Sequence, residues 1–358
     1  MQYKLTDLCN PKQWKTLATN ELVADGKYLV YGANGIIGKY DDYNHKEKTL
    51  MITCRGATCG NVHISEPYSY INGNAMCLDN LDTSKCDIKY LYFYLKNYDM
   101  KNVISGSAQP QITINSLNKV MIKIIPLSEQ KNIVKLFEKI ENGIIIKKNE
   151  ILKLDEIIKS QFVEMFGNPV LNEKGFNKKK LFDKCDIVTG NTPSRKIYDY
   201  YGNYIEWIKS DNIIDNSTYL SLAKESLSEK GLKVGRYVDK DCILMTCIAG
   251  SLNSIGNVAI TDRKVSFNQQ INGIIPKEND VYFMYEQFVL SKDYLHSPVN
   301  MSLKGILSKN QLGNLEFIFP PIELQKQFGK FFKQVDKQKF NEVLYSLKYI
   351  KNMLKCKC

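Results

Sequence analysis

Asn115–Lys131 reads NSLNKVMIKIIPLSEQK, and 195 positions later (310 − 115) Asn310–Lys326 reads NQLGNLEFIFPPIELQK. In both stretches a proline is followed by a glutamine four residues later. Beyond each glutamine, apolar residues recur three or four positions apart, which is the spacing of a helix that buries one face. The repeat predicts a globular unit that occurs twice, with a long helix after each copy. The matching apolar residues are Ile133, Leu136, Phe137 and Ile140 in the first copy and Phe328, Phe331, Phe332 and Val335 in the second.

The repeat extends upstream of these helices. Gly60-Asn61-Val62 recurs as Gly256-Asn257-Val258, and Met51-Ile52-Thr53-Cys54 resembles Leu244-Met245-Thr246-Cys247. A chain with two related globular heads suits a target that itself has two parts. We therefore expect a two-headed protein.

Length and composition limit the class of protein. The chain has 358 residues, of which 44% are hydrophobic, as expected for two domains with their own cores. No apolar run approaches the roughly 18 residues of a membrane span, and the N-terminus lacks a signal-peptide pattern. We therefore expect a cytoplasmic protein that does not contact a membrane.

The ten cysteines are predicted to be reduced thiols. Cys54 and Cys59 are separated by four residues, as are Cys242 and Cys247, whereas zinc knuckles use two. With only three histidines in the chain, we expect no metal site. Cys54 and Cys247 occupy matching places in the repeat and are predicted to be small buried strand residues.

The net charge of +11 is unevenly distributed. Segments 1–127, 128–166 and 167–320 carry +3, 0 and +2, whereas 321–358 carries +6 (9 − 3). Because the heads are only mildly basic, bulk charge does not argue for nucleic-acid binding. The lysines of the last segment form either a solvated helix face or a contact with phosphate or a partner protein.

A long helix is predicted for residues 128–166. Ser128 suits the N-cap and Glu129 the first turn, and Gly167-Asn168-Pro169 ends the helix. Its apolar residues alternate at three and four positions over 151–165, as in a coiled-coil seam. At about 1.5 Å per residue, the helix is expected to be roughly 58 Å long.

Residues 321–358 repeat this pattern. A single amphipathic helix of this length would leave its apolar stripe exposed to water, but two such helices can cover each other. We expect an antiparallel intramolecular coiled coil with a pseudo-two-fold axis; the alternative is packing on another protein or on a second copy of the chain. The predicted interface residues are Ile133, Phe137, Ile140, Ile151, Leu154, Ile158, Phe328, Phe332, Val335, Leu347 and Leu354.

The two heads, 1–127 and 167–320, are rich in short β-prone runs interrupted by glycine and asparagine. Ile88–Lys96 is predicted to be a helix, and Tyr282–Leu290 is its counterpart in the second head. The predicted fold class is α+β, with two mixed domains separated by the two long helices.

Several motifs resemble a known family. The second head resembles the opening of a target-recognition domain, the DNA-reading unit of the specificity subunit in Type I restriction–modification systems. The first head resembles a shorter variant that lacks the Thr-Pro-Ser-Arg opening, and the helix ending at Phe166 resembles the central spacer. The motifs are Thr189–Arg195, Tyr200–Gly202, Ile205–Lys209, Tyr31–Gly38, Arg55–Gly60 and Phe162–Pro169.

The resemblance implies a subunit without catalysis of its own. It would hold two adenine-methyltransferase subunits on double-stranded DNA, joined by motor–nuclease (restriction and translocase) subunits in the larger complex. No cofactor is expected on this chain, since S-adenosylmethionine and ATP would bind only to those partners. The sequence agrees, because it has no G-x₄-G-K-[ST] loop and no Asp/Asn-Pro-Pro-aromatic motif of an amino-methyltransferase.

Candidate DNA contacts are chosen by residue chemistry and loop context. Arginine is the best reader of guanine, and Arg195 lies in a Thr/Ser/Pro/Lys loop. Arg55 precedes a glycine that permits close approach of the backbone. For each of Arg55, Arg195, Arg236 and Arg263 a structural salt bridge is an open alternative. The predicted set is Arg195, Thr192, Ser194, Lys196, Lys209, Asn212, Lys304, Arg55, Asn34, Lys39, Tyr40, Ser107 and Gln109.

The mechanism expected from these features is geometric. Each head reads one half of a bipartite site, and the paired helices set the length of the unread gap. Two heads on one face of a duplex need to lie about one helical turn apart, roughly 34–36 Å. The alternatives are a protein–protein scaffold with peptide-binding heads and an enzyme with an unrecognised active site.

Overall fold

The computed structural model describes residues 1–106, 109–215, 217–301 and 304–355, and in 343–355 it describes the backbone alone. Two compact units are formed, one by residues 1–145 with the end of the last helix from Ile350, the other by residues 146–349. The boundary between the units lies inside the longest helix. The predicted domain divisions after residues 127, 166 and 320 therefore stay a prediction.

The first unit is built from short elements that lead into a long helix. The predicted helix Ile88–Lys96 is present with these bounds, and Asp87 caps it by accepting hydrogen bonds from the backbone N–H groups of Lys89 (2.9 Å) and Tyr90 (3.1 Å). The elements are β1 (Gln2–Lys4), α1 (Leu5–Leu8), β2 (Asn10–Lys12), β3 (Tyr28–Gly32), β4 (Gly35–Tyr40), β5 (Leu50–Thr53), β6 (Val62–Ile64), β7 (Tyr70–Ile71), β8 (Ala75–Asp79), α2 (Ile88–Lys96), α3 (Ile114–Leu117), β9 (Met121–Lys123) and α4 (Leu127–Phe166), whose first half belongs to this unit.

The core of the first unit lies between an antiparallel sheet and α2. The sheet has the strand order β2-β8-β5-β6, and every residue of β5 is buried. Leu91 and Leu95 of α2 pack into the same core, together with Val134 of α4. A three-stranded sheet, β4-β3-β7, and the pair β1-β9 complete the unit.

The second unit repeats this plan with a longer front end. The predicted helix Tyr282–Leu290 begins one residue earlier, at Val281. The elements are β10 (Lys178–Lys180), α5 (Leu181–Lys184), β11 (Cys185–Thr189), β12 (Tyr201–Gly202), β13 (Ile205–Ile208), β14 (Ser226–Leu227), α6 (Glu229–Val234), β15 (Tyr237–Val238), β16 (Ile243–Thr246), β17 (Ile248–Ala249), β18 (Val258–Ile260), β19 (Val265–Phe267), β20 (Ile271–Pro276), α7 (Val281–Leu290), α8 (Lys292–His296), β21 (Gly305–Ile306), α9 (Lys309–Asn314), β22 (Glu316–Ile318) and α10 (Ile322–Lys355).

The sheet topology of the second unit matches that of the first. Its four-stranded sheet has the order β11-β20-β16-β18, which is the counterpart of β2-β8-β5-β6, and β10-β22 is the counterpart of β1-β9. The three-stranded sheet of the first unit is replaced by a five-stranded sheet, β12-β14-β13-β19-β15. The duplicated part is therefore the central sheet with its helix, and the heads differ in the outer sheet.

The repeat extends to a single turn. Gly60 and Gly256 both have a positive φ, of 98° and 80°, and each donates its backbone N–H to a threonine carbonyl at 2.9 Å, that of Thr53 or Thr246. Glycine is required there because other residues are strained at such angles. Cys54 and Cys247, which follow these two threonines in the chain, are buried as predicted.

A buried glutamine joins each long helix to its head. Gln130 accepts a hydrogen bond from the Asp87 N–H at 2.8 Å, and Gln325 accepts one from the Asp280 N–H at 3.1 Å. Each amide nitrogen donates to a carbonyl just before the helix, that of Ile125 (2.7 Å) or Pro320 (2.8 Å). Because a buried amide must be hydrogen-bonded, this contact orients the helix on the head in both copies.

Within the second unit, α4 and α10 run antiparallel and touch. Lys339 donates to Asp155 at 2.5 Å, and the rings of Phe162 and Phe328 lie 5.3 Å apart between centroids. Residue numbers rise along α4 as they fall along α10, which is the predicted direction. The two helices form the predicted intramolecular pair.

The seam of this pair is shared with a third helix. Phe162 stacks on Phe283 of α7, with ring centroids 5.5 Å apart, and Phe332 lies 5.1 Å from Tyr282. The head therefore covers part of the apolar stripe that periodicity assigned to helix–helix contact alone. A helical pattern marks which face is buried but does not name the element that covers it.

The predicted interface residues fall into three groups. Ile158, Phe328, Phe332 and Val335 are buried in one core with Phe162 and Phe166, and Leu154 packs against it. Phe137 stacks on Phe93 of α2 at 5.0 Å, in the first unit, and Ile133 packs in the same core. The remaining four are Ile140, which is buried, Ile151, which is half-buried, and Leu347 and Leu354, whose side chains lie outside the described residues.

No helix in the described part of the chain is long and apolar enough to cross a bilayer.

Candidate nucleic-acid interface

Arg195 lies in the loop between β11 and β12, where its guanidinium rests on two aromatic rings. The guanidinium carbon is 4.5 Å from the ring centroid of Tyr201 and 5.0 Å from that of Trp207. Its Nη1 is 2.6 Å from Oε2 of Glu225. These contacts hold the Arg195 side chain in place although it is 54% exposed.

The loop is fixed by the same two aromatic residues. The hydroxyl of Tyr201 donates to the carbonyl of Pro193 at 2.7 Å, and Nε1 of Trp207 donates to the carbonyl of Asn191 at 3.3 Å. Trp207 is on β13, so the loop is anchored to the five-stranded sheet. An exposed arginine on a fixed loop loses little conformational entropy when it binds.

Lys209 contacts the other oxygen of the same carboxylate. Its Nζ donates to Oε1 of Glu225 and lies 5.2 Å from the Trp207 ring centroid. Hydrogen bonds from Arg195 and then Lys209 hold the pKa of the Glu225 carboxyl below its usual value, and the bond to Glu225 raises the pKa of Arg195. We call Arg195, Lys209, Glu225, Tyr201 and Trp207 the Arg195 cluster.

The other predicted contacts of the second head differ in accessibility. Thr192, Ser194 and Lys196 are exposed on the Arg195 loop, and Lys304 is exposed before β21. Asn212 is buried instead, and its amide donates to the Ser221 hydroxyl (3.2 Å) and the Leu222 carbonyl (3.0 Å). Because these bonds engage its amide, we leave Asn212 out of the proposed surface.

Arg263 illustrates the alternative role for an arginine. Its Nε and Nη2 donate to the two carboxylate oxygens of Glu206 at 2.6 and 2.8 Å, and Nη1 donates to Asp262. Glu206 also accepts the backbone N–H of Ala223 at 2.8 Å. Because all three guanidinium nitrogens are bonded to carboxylates, Arg263 has no pair of N–H donors to offer to a base. Arg263 is therefore a structural residue. Arg236 is exposed.

In the first head the predicted residues Asn34, Arg55 and Gln109 are exposed. Asn34 lies in the turn between β3 and β4, where its Oδ1 is 2.9 Å from Nδ2 of Asn61 and 3.2 Å from Nε2 of His63. Arg55 is exposed and forms an isolated bridge with Gln111, which places it beside the loop that carries Gln109. In the described part of the chain no carboxylate pairs with Arg55.

Two predicted residues of the first head lie elsewhere. Lys39 and Tyr40 pair with Leu29 and Tyr28 at the end of the β3–β4 hairpin opposite to Asn34. The ring of Tyr40 also packs edge-on against Tyr70 at 5.7 Å. These two residues therefore lie away from Asn34. Ser107 lies outside the described residues.

One cluster in the described part of the chain has metal-ligand chemistry. The ligand atoms of His45, Cys77 and Asp79 lie within 4.8 Å of one another. His45 faces Asp79 Oδ1 through Nε2 (3.1 Å) and Asn44 Oδ1 through Nδ1 (2.6 Å), while Trp14 donates to Asp79 Oδ2 at 2.9 Å. We interpret the cluster as a buried hydrogen-bond network, because these contacts satisfy the imidazole and the carboxylate.

Sequence reasoning did not select Glu225, Trp207 and Tyr201 as site residues. The only signal was indirect. Trp207 is one of two tryptophans in the chain and lies in the motif Ile205–Lys209, and Tyr201 lies in the motif Tyr200–Gly202; both motifs carry the family resemblance. Glu225 belongs to none of the sequence motifs. It lies close to Arg195 only because β13 pairs with β14.

Comparison with known proteins assigns the architecture. The family model described as "Type I restriction modification DNA specificity domain" matches twice, over residues 1–156 and 173–345. The chain belongs to this family. The predicted resemblance is therefore confirmed. Specificity subunits are the non-catalytic components of these systems, in agreement with the prediction that this chain is not itself an enzyme.

Similar curated proteins have consistent names. A putative type I restriction enzyme MjaX specificity subunit of Methanocaldococcus jannaschii is 22% identical over 300 residues, 77% of this chain and 67% of the relative. The MjaIX specificity subunit of the same organism is 30% identical over 183 residues, 48% of this chain and 41% of that relative.

Solved structures show the same fold. A Type I restriction-modification S subunit from M. genitalium matches with a TM-score of 0.59 at 16% identity, covering 99% of this chain and 94% of that one. A chain from a study of complex assembly and conformational transition of the type I R-M system matches with a TM-score of 0.55 at 13% identity, covering 99% and 95%. The α+β class with two related heads and two long helices is thereby confirmed.

Proposed function

We propose that this chain is a DNA-recognition subunit that reads a bipartite double-stranded site and directs adenine-methyltransferase subunits, and restriction subunits where present, to that site. Each head reads one half-site, and the unread gap is set by the α4–α10 pair. S-adenosylmethionine and ATP bind to the partners, and the complex works in the cytoplasm. The duplicated head topology carries this proposal, because two modules that share a central sheet and differ in the outer sheet suit two unlike half-sites.

The recognition surface is proposed to centre on exposed groups of each head. In the second head these are Arg195, Thr192, Ser194, Lys196 and Lys304, joined by the half-buried Lys209; in the first they are Asn34, Arg55 and Gln109. Arginine pairs with O6 and N7 of guanine, and asparagine and glutamine pair with adenine. The Ser194 hydroxyl and the lysines suit phosphate contacts, which position the protein on the duplex, whereas the Thr192 hydroxyl donates to Gln269 and would have to exchange that partner.

The decisive experiment is selection from randomised duplexes by the full chain assembled with its methyltransferase subunits. We expect enrichment of two short motifs at a constant spacing, with affinity that falls steeply as salt rises. Enrichment of no bipartite motif would favour a protein–protein scaffold. Turnover by the chain alone would indicate an enzyme.

Shortening both long helices should change the spacing alone. Deletion of residues 144–150 together with 340–346 removes one heptad from each helix, and the Lys147–Glu342 pair (2.7 Å) is removed as a whole. Each helix loses about 10 Å, so we expect a gap shorter by about three base pairs with both half-site sequences unchanged. Selection on the same library measures this, and an unchanged gap would contradict the role of the helices as a ruler.

A further inference from the structure

The Arg195 cluster contains a negative charge on a surface that is proposed to meet a polyanion. Glu225 bonds to both Arg195 and Lys209, so the net charge of the three groups is +1 rather than +2. A site selected only for affinity to phosphate would gain from losing this carboxylate. Its presence needs a separate explanation.

The ion pair between Glu225 and Arg195 differs from the structural ion pair between Glu206 and Arg263. The Glu206 carboxylate binds Arg263 through two nitrogens and also accepts a backbone N–H, with both side chains less than a third exposed. Glu225 binds one nitrogen of Arg195, whose side chain is 54% exposed. An exposed, single-point ion pair contributes little to stability, so DNA can displace it.

The aromatic rings keep the arginine in position without the carboxylate. Tyr201 and Trp207 both contact the guanidinium and also hold the loop through Pro193 and Asn191. A cation–π contact attracts the guanidinium to the ring itself and does not require an ion-pair partner. A base edge could therefore replace Glu225 as acceptor while Arg195 stays in place.

We propose that Glu225 is a specificity-determining residue, which keeps Arg195 and Lys209 from binding phosphates indiscriminately and releases Arg195 to the O6/N7 edge of guanine. Specificity is a difference between affinities, and a carboxylate at the interface lowers affinity for every DNA in which no base acceptor replaces it. This inference rests on the proposed function. It adds that the second half-site contains a guanine read by Arg195.

The test is Glu225→Gln, which keeps the shape of the side chain and removes its charge. In the full chain assembled with its methyltransferase subunits, we expect binding to a fixed non-cognate duplex to tighten about tenfold. Selection from randomised duplexes should show weaker preference for guanine in the second half-site, with the first half-site and the gap unchanged. Arg195→Ala should abolish that guanine preference.

Asp186→Asn is the matched control, because Asp186 on β11 forms a 2.5 Å exposed pair with Lys277, next to β20 in the same head. Within the described residues this pair has no cation–π contact. It should change neither measurement. Thermal unfolding of each variant checks that the head remains folded. If Glu225→Gln binds non-cognate DNA as the unchanged chain does, or weakens all binding without relaxing the guanine preference, the inference is wrong. If the unchanged chain selects no bipartite site, the proposed function itself fails.

Discussion

Phe162→Ala is expected to lower the free energy of unfolding by about 3–5 kcal/mol, because it empties the centre of the largest core. Phe162 is fully buried and its ring meets those of Phe166, Phe283 and Phe328 at centroid distances of 4.9, 5.5 and 5.3 Å. These partners come from α4, α7 and α10, so the cavity would weaken all three helices together. The change is measured by urea unfolding followed by circular dichroism.

The matched control is Phe340→Ala on α10. Phe340 is 63% exposed, and its removal should change the free energy of unfolding by no more than about 0.5 kcal/mol. Similar losses for the two variants would contradict the three-helix packing. A loss of less than about 1 kcal/mol for Phe162→Ala would do the same.

Glu286→Gln is expected to remove most of the pH dependence of stability of the second unit. Glu286 lies on α7 and is 3% exposed, and its buried Oε1 has no hydrogen-bond partner among the residues that the structure describes. It borders a cavity of about 60 Å³ with Asp155, Lys159 and Lys292. Burial raises the pKa of Glu286 to about 7, against the opposing effect of Lys159.

The direction of the pH effect follows from this shift. The folded state binds a proton that the unfolded chain releases near pH 4.5, so the contribution of Glu286 is fully present below that pH and is lost as the pH rises through about 7. Over this pH range the free energy of unfolding falls by about 3 kcal/mol. At pH 8 the glutamine variant should therefore be more stable than the unchanged chain, and near pH 4.5 the two should be equal.

The experiment compares urea unfolding at several values of pH between 4.5 and 8. Glu323→Gln is the control, because the Glu323 side chain is 82% exposed, and this variant should keep the full pH dependence. Burial also raises the pKa of Asp280, at the start of the same helix, so a smaller slope of the same sign should remain. A Glu286→Gln variant that is less stable at every pH would show that the carboxylate is bound in its charged form.

The local sequence pattern was sufficient to predict the main secondary-structure elements and the family. The helix over Ile88–Lys96, the long helix ending at Phe166, and the Gly60 and Gly256 turns all depend on residues close together in the chain. Periodicity, capping and turn chemistry act over a few residues, so they can be interpreted without knowing what packs on them. The repeat then implied two heads of related topology.

The positions of the candidate site residues could not be predicted from the local sequence in the same way. Nothing local distinguishes Asn212, which is buried, from exposed Asn34, and Lys39 lies only four residues beyond the Asn34–Gly35 turn but at the opposite end of its hairpin. Helical spacing predicted that the seam of α4 is buried against α10, and α7 also contacts Phe162 of that seam.

By itself the sequence determined the two-headed plan, the two long helices and the family, because the repeat and the helical spacing of apolar residues are properties of the chain. Only the tertiary structure decided that Arg195 rests on Tyr201 and Trp207 and shares Glu225 with Lys209. These contacts join the loop before β12, the strands β12 and β13, and the segment between β13 and β14. Partners at such separations are chosen by strand pairing and packing, for which a single sequence carries no local signal.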